Sequence, residues 1–69
     1  MEILEKLLAE LPARNAEIMR MRFGIGYPRE HAFRELGRLF GLSRARIQQI
    51  EEESLRQLRK IAQVRGIDL

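Results

Sequence analysis

Gly37 and Gly41 stand four residues apart, and Ser43 follows two residues later. That grouping restricts the fold more than any other feature of the chain. A helix-turn-helix needs two short helices crossing steeply through a turn of three or four residues. The first helix must carry a small residue where the second crosses it, and Gly37 supplies one. The turn needs a residue that accepts positive φ, and Gly41 supplies that. Leu36, Phe40, Leu42, Ile47 and Ile50 fall where apolar side chains must fill the wedge between the helices. The stretch from Phe33 to Glu52 therefore predicts a helix-turn-helix. An ordinary helical hairpin, which also turns on glycine, is the alternative.

The flanking segments read as helices too. Ile3, Leu4, Leu7, Leu8 and Leu11 recur at helical spacing, predicting a first helix from Glu2 to about Glu10. Pro12 suits the first turn of a second helix, where its missing N–H costs nothing. Ala16, Met19 and Phe23, helped by Ile18, mark the buried stripe of that helix, and Gly24-Ile25-Gly26-Tyr27-Pro28 ends it. A third helix spans about Ala32 to Phe40, with Phe33, Leu36 and Phe40 on one face. Ser43 is a good N-cap for a long fourth helix, whose stripe runs Ile47, Ile50, Leu55, Leu58, Ile61 and Ala62. No alternating strand pattern appears. The expected fold is all-α, with four to five helices in one domain over 1–69, and no wing beside the helix-turn-helix.

Charge points to what such a fold would meet. From Arg14 to Arg46 eight arginines face three acids, a balance of +5, while the remaining positions sum to −2. An arginine fork binds a phosphate or a guanine edge bidentately. The basic middle thus suggests one anion-facing surface, though a solvated Arg-rich helical surface would give the same charge. Ser43, Arg44, Ala45, Arg46, Gln48 and Gln49 occupy the first two turns of the fourth helix, the part that enters a major groove in this motif. Arginine can take guanine O6 and N7 together, and glutamine can take adenine N6 and N7. Arg14, Arg20, Arg22, Arg34 and Arg38 are available for phosphates, which position a domain without reading sequence.

The segments 19–25 (Met-Arg-Met-Arg-Phe-Gly-Ile), 35–37 (Glu-Leu-Gly), 43–51 (Ser-Arg-Ala-Arg-Ile-Gln-Gln-Ile-Glu) and 55–59 (Leu-Arg-Gln-Leu-Arg) together resemble region four of the sigma-70 family of bacterial sigma factors. The resemblance runs without a gap from about Leu11 to Lys60. It implies a domain that recognises the −35 element of double-stranded promoter DNA and docks on the flap of the RNA polymerase β subunit. By that resemblance Arg44 reads a guanine and Gln49 is a second base contact, with Ala45 and Gln48 on the same reading face. Arg14, Arg22, Ser43 and Arg46 match positions that touch the DNA backbone. Arg56 and Arg59 match positions near those engaged by activators, and an anti-sigma factor is a further partner class. The chain departs from housekeeping members at Ala45, where they carry glutamate, and at Gln48, where they carry arginine. It departs again at Ala32, Arg34, Glu53 and Gln57. The family's promoter-melting region does not fit in 69 residues, so the expectation is a domain of a longer sigma factor or a stand-alone relative.

Other chemistries find little footing. With one histidine and no cysteine there is no plausible metal set, and His31 reads as a surface or capping residue. Ser43 has no partner for a nucleophilic triad, and the run Glu51-Glu52-Glu53 reads as a solvated face. Gly24-Ile25-Gly26 lacks the third glycine of a dinucleotide fingerprint. No enzyme, cofactor or catalytic residue is expected, nor a membrane span, and the expected location is the cytoplasm. Two functional alternatives remain beside the promoter reader. One is a stand-alone helix-turn-helix regulator, and the other is a polymerase or anti-sigma interaction module with weak DNA binding.

Overall fold

The apolar spacing resolves into four helices in the computed structural model, which describes residues 2–68. They are α1 (Glu2–Leu8), α2 (Ala13–Phe23), α3 (Phe33–Phe40) and α4 (Arg44–Arg65). There is no strand among the described residues, so the all-α expectation holds at its lower helix count. Two apolar clusters organise the packing. Leu7, Leu8, Leu11, Ala16, Met19, Ile25 and Leu58 form one, which joins α1 and α2 to the later turns of α4. Ile18, Leu36, Ile47 and Ile50 form the other, with Met21, Phe33, Phe40 and Leu42 packed against it. Helix α4 contributes to both, so its beginning and its end rest on different parts of the core.

Several boundaries differ from the sequence expectation. Helix α1 stops at Leu8 rather than near Glu10, because the next turn tightens into three-residue bonds from Glu10 N to Leu7 O and from Leu11 N to Leu8 O. Pro12 sits one position earlier than the first helical turn, as the extended residue before α2, and its carbonyl accepts from Ala16 N at 2.8 Å. Phe23 does not belong to the buried stripe of α2 and is 42% exposed. The left-handed Gly24 reverses the chain there, Ile25 N bonds back to Arg20 O at 2.8 Å, and Ile25 is tucked into the first cluster. That closing motif swings the following apolar side chain under the helix end. Ala32 precedes α3 as an extended cap whose side chain makes no bond.

His31 is not a surface residue but a buried capping one: its Nδ1 lies 2.8 Å from Met21 O, a carbonyl of the last turn of α2. A carbonyl only accepts, so Nδ1 carries the hydrogen and donates. Glu51 departs from the solvated reading of its acidic run, and its role belongs to the interface below.

The turn between α3 and α4 is built as the two glycines require. Gly41 adopts φ 68°, and Leu42 N donates to Gly37 O at 2.8 Å. Gly37 is buried where the chain returns, and a Cβ there would lie 2.6 Å from Leu42 O. Ser43 then caps α4, its Oγ accepting from Arg46 N at 3.0 Å. Substituting such a cap with alanine costs about 1 kcal/mol.

One ion pair fastens the α2–α3 connection to α3. Arg29 Nη1 donates to Glu35 Oε1 at 2.9 Å, and this hydrogen bond, with the guanidinium charge, holds the Glu35 carboxyl down at about 2 against a partly opposing desolvation. A carboxyl lowered in the folded state stabilises above its ordinary value and loses that contribution as pH falls toward the folded value. The difference in melting midpoint between the wild type and Glu35→Gln should therefore shrink as pH drops from 4.5 to about 2. Because the pair is solvent-facing, the effect will be small. A constant difference across that window would remove Glu35 from the account.

Candidate nucleic-acid interface

The first turns of α4 divide cleanly into an inner and an outer face. Ile47 and Ile50 are fully buried against Leu36 and Ile18, which fixes the rotation of the helix about its axis. The opposite side therefore carries Arg44, Ala45, Gln48 and Gln49, all of them exposed. These are the four side chains assigned to base reading by the sequence and the resemblance. Ser43 is exposed as well, with its Oγ occupied as an acceptor by the cap but its hydroxyl hydrogen still able to donate.

The arginines are less uniform than their number suggests. Arg44 has no carboxylate at ion-pair distance among the described residues, and its guanidinium carbon lies 5.7 Å from the centroid of the Phe33 ring. Arg46 is half-buried and bridged along the helix, donating from Nη1 to Gln49 Oε1 at 3.0 Å and lying 3.6 Å from Glu53 Oε2. With Oε1 so engaged, the Gln49 amide presents mainly its two N–H donors. Arg14 stands exposed in the first turn of α2, with Nε and Nη2 each 3.2 Å from Asn15 Oδ1.

Arg22 is not a free surface cation. Its Nε donates to Glu51 Oε1 at 3.1 Å, its Nη1 donates to His31 O at 3.2 Å, and its guanidinium carbon lies 4.1 Å from the Phe33 centroid. Glu51 is only 15% exposed at its side chain, which corrects the reading of 51–53 as a wholly solvated run. A signal for it was present in the spacing, since Glu51 lies one turn after Ile47 and one before Leu55, in register with the apolar stripe. Sequence reasoning also passed over Phe33 as a surface for cations; nothing in the spacing pairs it with residues eleven positions away on either side.

Arg56 and Arg59 lie apart from this group, exposed on later turns of α4, where they border a shallow recess with Glu52 and Leu55. No group of three or more His, Cys, Asp or Glu that could hold a metal occurs among the described residues. No helix among them is long and apolar enough to cross a membrane. The candidate interface is thus a short row of exposed side chains on a helix end, polar but for the Ala45 methyl, backed by a fixed apolar wedge and flanked by guanidinium groups.

Comparison with known proteins places the chain in a family. Residues 7–60 match the family described as Sigma-70, region 4. The chain is similar to the RNA polymerase principal sigma factor HrdD of Streptomyces viridifaciens, at 43% identity over 67 residues, covering 97% of this chain and 20% of the relative. It is similar to the RNA polymerase sigma factor RpoD of Neisseria gonorrhoeae, at 45% identity over 58 residues, covering 84% of this chain and 9% of the relative. It therefore spans a fifth or less of the length of these relatives. Matched over most of its residues, and carrying the turn, the wedge and the polar helix end described above, the chain belongs to the sigma-70 region 4 family.

Proposed function

We propose that this chain is the DNA-binding domain of a bacterial sigma factor, reading the −35 element of promoters in the cytoplasm while docked on the β-subunit flap of RNA polymerase. The observation that carries the reading is the exposure of Arg44, Ala45, Gln48 and Gln49 together on the outer face of a helix end whose inner face is locked by Ile47 and Ile50. Laid in a major groove, that face offers Arg44 to guanine O6 and N7 and the Ala45 methyl to a thymine methyl. Gln48 and Gln49 reach neighbouring base edges. Arg14, Arg46 and the Ser43 hydroxyl hold phosphates, and Arg22 joins them with the Nη2 hydrogens that its internal bonds leave unused. Arg56 and Arg59, outside this group, offer a surface to an activator.

A second reading has one observation in its favour. Glu53 and Gln49 both engage Arg46, so a phosphate must compete with an internal carboxylate for that guanidinium. This suits a module whose main task is docking on polymerase or an anti-sigma factor.

Salt separates the two. Each phosphate neutralised on duplex DNA contributes about −0.9 to the slope of log affinity against log salt. Titration of the 69-residue chain on promoter duplex should give a steep slope, and Arg14→Ala should reduce its magnitude by about 0.9. A flat dependence, or no binding at any salt, selects the docking module.

A further inference from the structure

Phe33 opens α3, and its half-buried ring packs against the cluster of Ile18, Leu36, Ile47 and Ile50. Two guanidinium groups from different helices lie over this one ring. Arg22 of α2 is 4.1 Å from the ring centroid, and Arg44 of α4 is 5.7 Å from it. Two cations sharing one ring repel each other, and the Glu51 carboxylate on Arg22 offsets that repulsion. Arg22 is held from three sides, by Glu51, by His31 O and by the ring. For Arg44, by contrast, the ring takes the place that a carboxylate takes for Arg22 and Arg46.

An arginine that reads a base edge must surrender most of its rotamer freedom on binding. A π face beneath the guanidinium restricts that freedom beforehand without using its N–H donors, because the attraction acts on the face of the ion and not on its edge. A carboxylate partner would occupy those same donors. An aromatic platform is therefore the kind of restraint that leaves a bidentate guanine contact available.

We propose that Phe33 is a positioning residue for base recognition: its ring presets the direction of the Arg44 side chain at the head of α4, and the Arg22–Glu51 pair makes room for both cations on it. The proposal rests on the reading of Arg44 as the guanine contact.

The test uses the 69-residue chain as wild type, Phe33→Leu, Phe33→Tyr, Arg44→Ala and the Phe33→Leu/Arg44→Ala double variant. Competition binding is measured on duplexes varied at each base pair, together with the salt slope. Phe33→Leu should lower the preference at the Arg44 base pair about two- to fivefold, the fold-change equivalent to about 0.5–1 kcal/mol for an exposed cation–π contact. Preferences elsewhere and the salt slope should stay unchanged, and Phe33→Tyr should keep the full preference. In the Arg44→Ala background Phe33→Leu should have no further effect on that base pair. In the free chain, Arg44 side-chain proton resonances should carry a ring-current shift that Phe33→Leu abolishes.

If Phe33→Leu weakens all duplexes alike, Phe33 serves the core or the Arg22 phosphate contact rather than Arg44, and the proposal is overturned. It is equally overturned if Arg44→Ala removes the guanine preference while Phe33→Leu leaves it intact. Should Arg44→Ala change no base preference, the underlying reading of Arg44 falls and takes the proposal with it, a result distinct from the other two.

Discussion

Gly37→Ala should destabilise the chain by about 1–3 kcal/mol, lowering its melting midpoint by about 4–8 °C for each kcal/mol in a domain of this size. In an open helix the same change would stabilise by about 1 kcal/mol, since alanine is the better helix former. Gly37 has an ordinary helical backbone, so nothing about its own φ requires glycine. What opposes the methyl is Leu42 O at 2.6 Å, with Ser43 C and Arg44 N each at 3.5 Å. That oxygen belongs to a turn pinned on one side by the Leu42 N to Gly37 O bond and on the other by the Ser43 cap. It cannot retreat without carrying the start of α4 with it. Gly41 makes the useful comparison, because it has positive φ but nothing within 4 Å of a built Cβ. Gly41→Ala should cost only the left-handed strain of about 1–2 kcal/mol. Paired melts decide the matter: should Gly41→Ala prove the more damaging, close approach is not what Gly37 provides. Duplex binding by Gly37→Ala below its melting range should fall further than stability alone explains, because the shifted turn redirects the reading face.

Arg44→Ala should remove about 1–3 kcal/mol of discrimination at a single base pair and leave the other positions of the site as they were. The side chain is exposed and unpaired by any carboxylate among the described residues, so its removal disturbs no internal ion pair. Ala45→Glu makes the complementary case. Alanine offers a methyl, which suits thymine, whereas glutamate offers an acceptor to the cytosine N4 amino group. The exposed position accepts the longer side chain without overpacking, so the substitution should create a cytosine preference of about 1–3 kcal/mol. It should also lower affinity for all duplexes slightly, since an acid is added beside phosphates. Competition binding on duplexes varied one base pair at a time measures both changes. If neither substitution alters any base preference, α4 does not enter the groove by its first turns, and the docking module becomes the better account.

The fold was legible in the sequence wherever a single helix face carries the information. The apolar repeats locate all four helices, and Gly37, Gly41 and Ser43 locate the turn. Legibility fails where a position is decided by a partner far along the chain. Phe23 keeps the period of its helix, yet Gly24 swings Ile25 into the first cluster and Phe23 is left outside. His31 is buried through Met21 O, ten residues earlier, which no local pattern encodes. Among the candidate site residues, the outer face of α4 could be read from Ile47 and Ile50 by helical spacing alone. The pairing of Arg22 with Glu51, 29 residues apart, could not, because it depends on how α2 crosses α4.

Helix α4 runs unbroken for 22 residues, from the reading face to the Arg65 turn, and so behaves as a lever arm of about 33 Å. Its far end is seated by Ile61 and Ile67 on the first cluster and by the buried Ala62, with Ile67 N bonded back to Ala62 O at 2.8 Å and Arg65 paired with Glu10. Because Ile47 and Ile50 lock the near end too, α4 moves with the whole domain. A tilt of the domain by about 5° about that seat would carry Arg44 through about 3 Å, close to the spacing of one base step along a strand. On the proposed docking, the angle at which the domain is held would then set which base pair the reading face addresses. A partner that leans on the distal turns would act on promoter choice as a steering force, without touching a nucleotide.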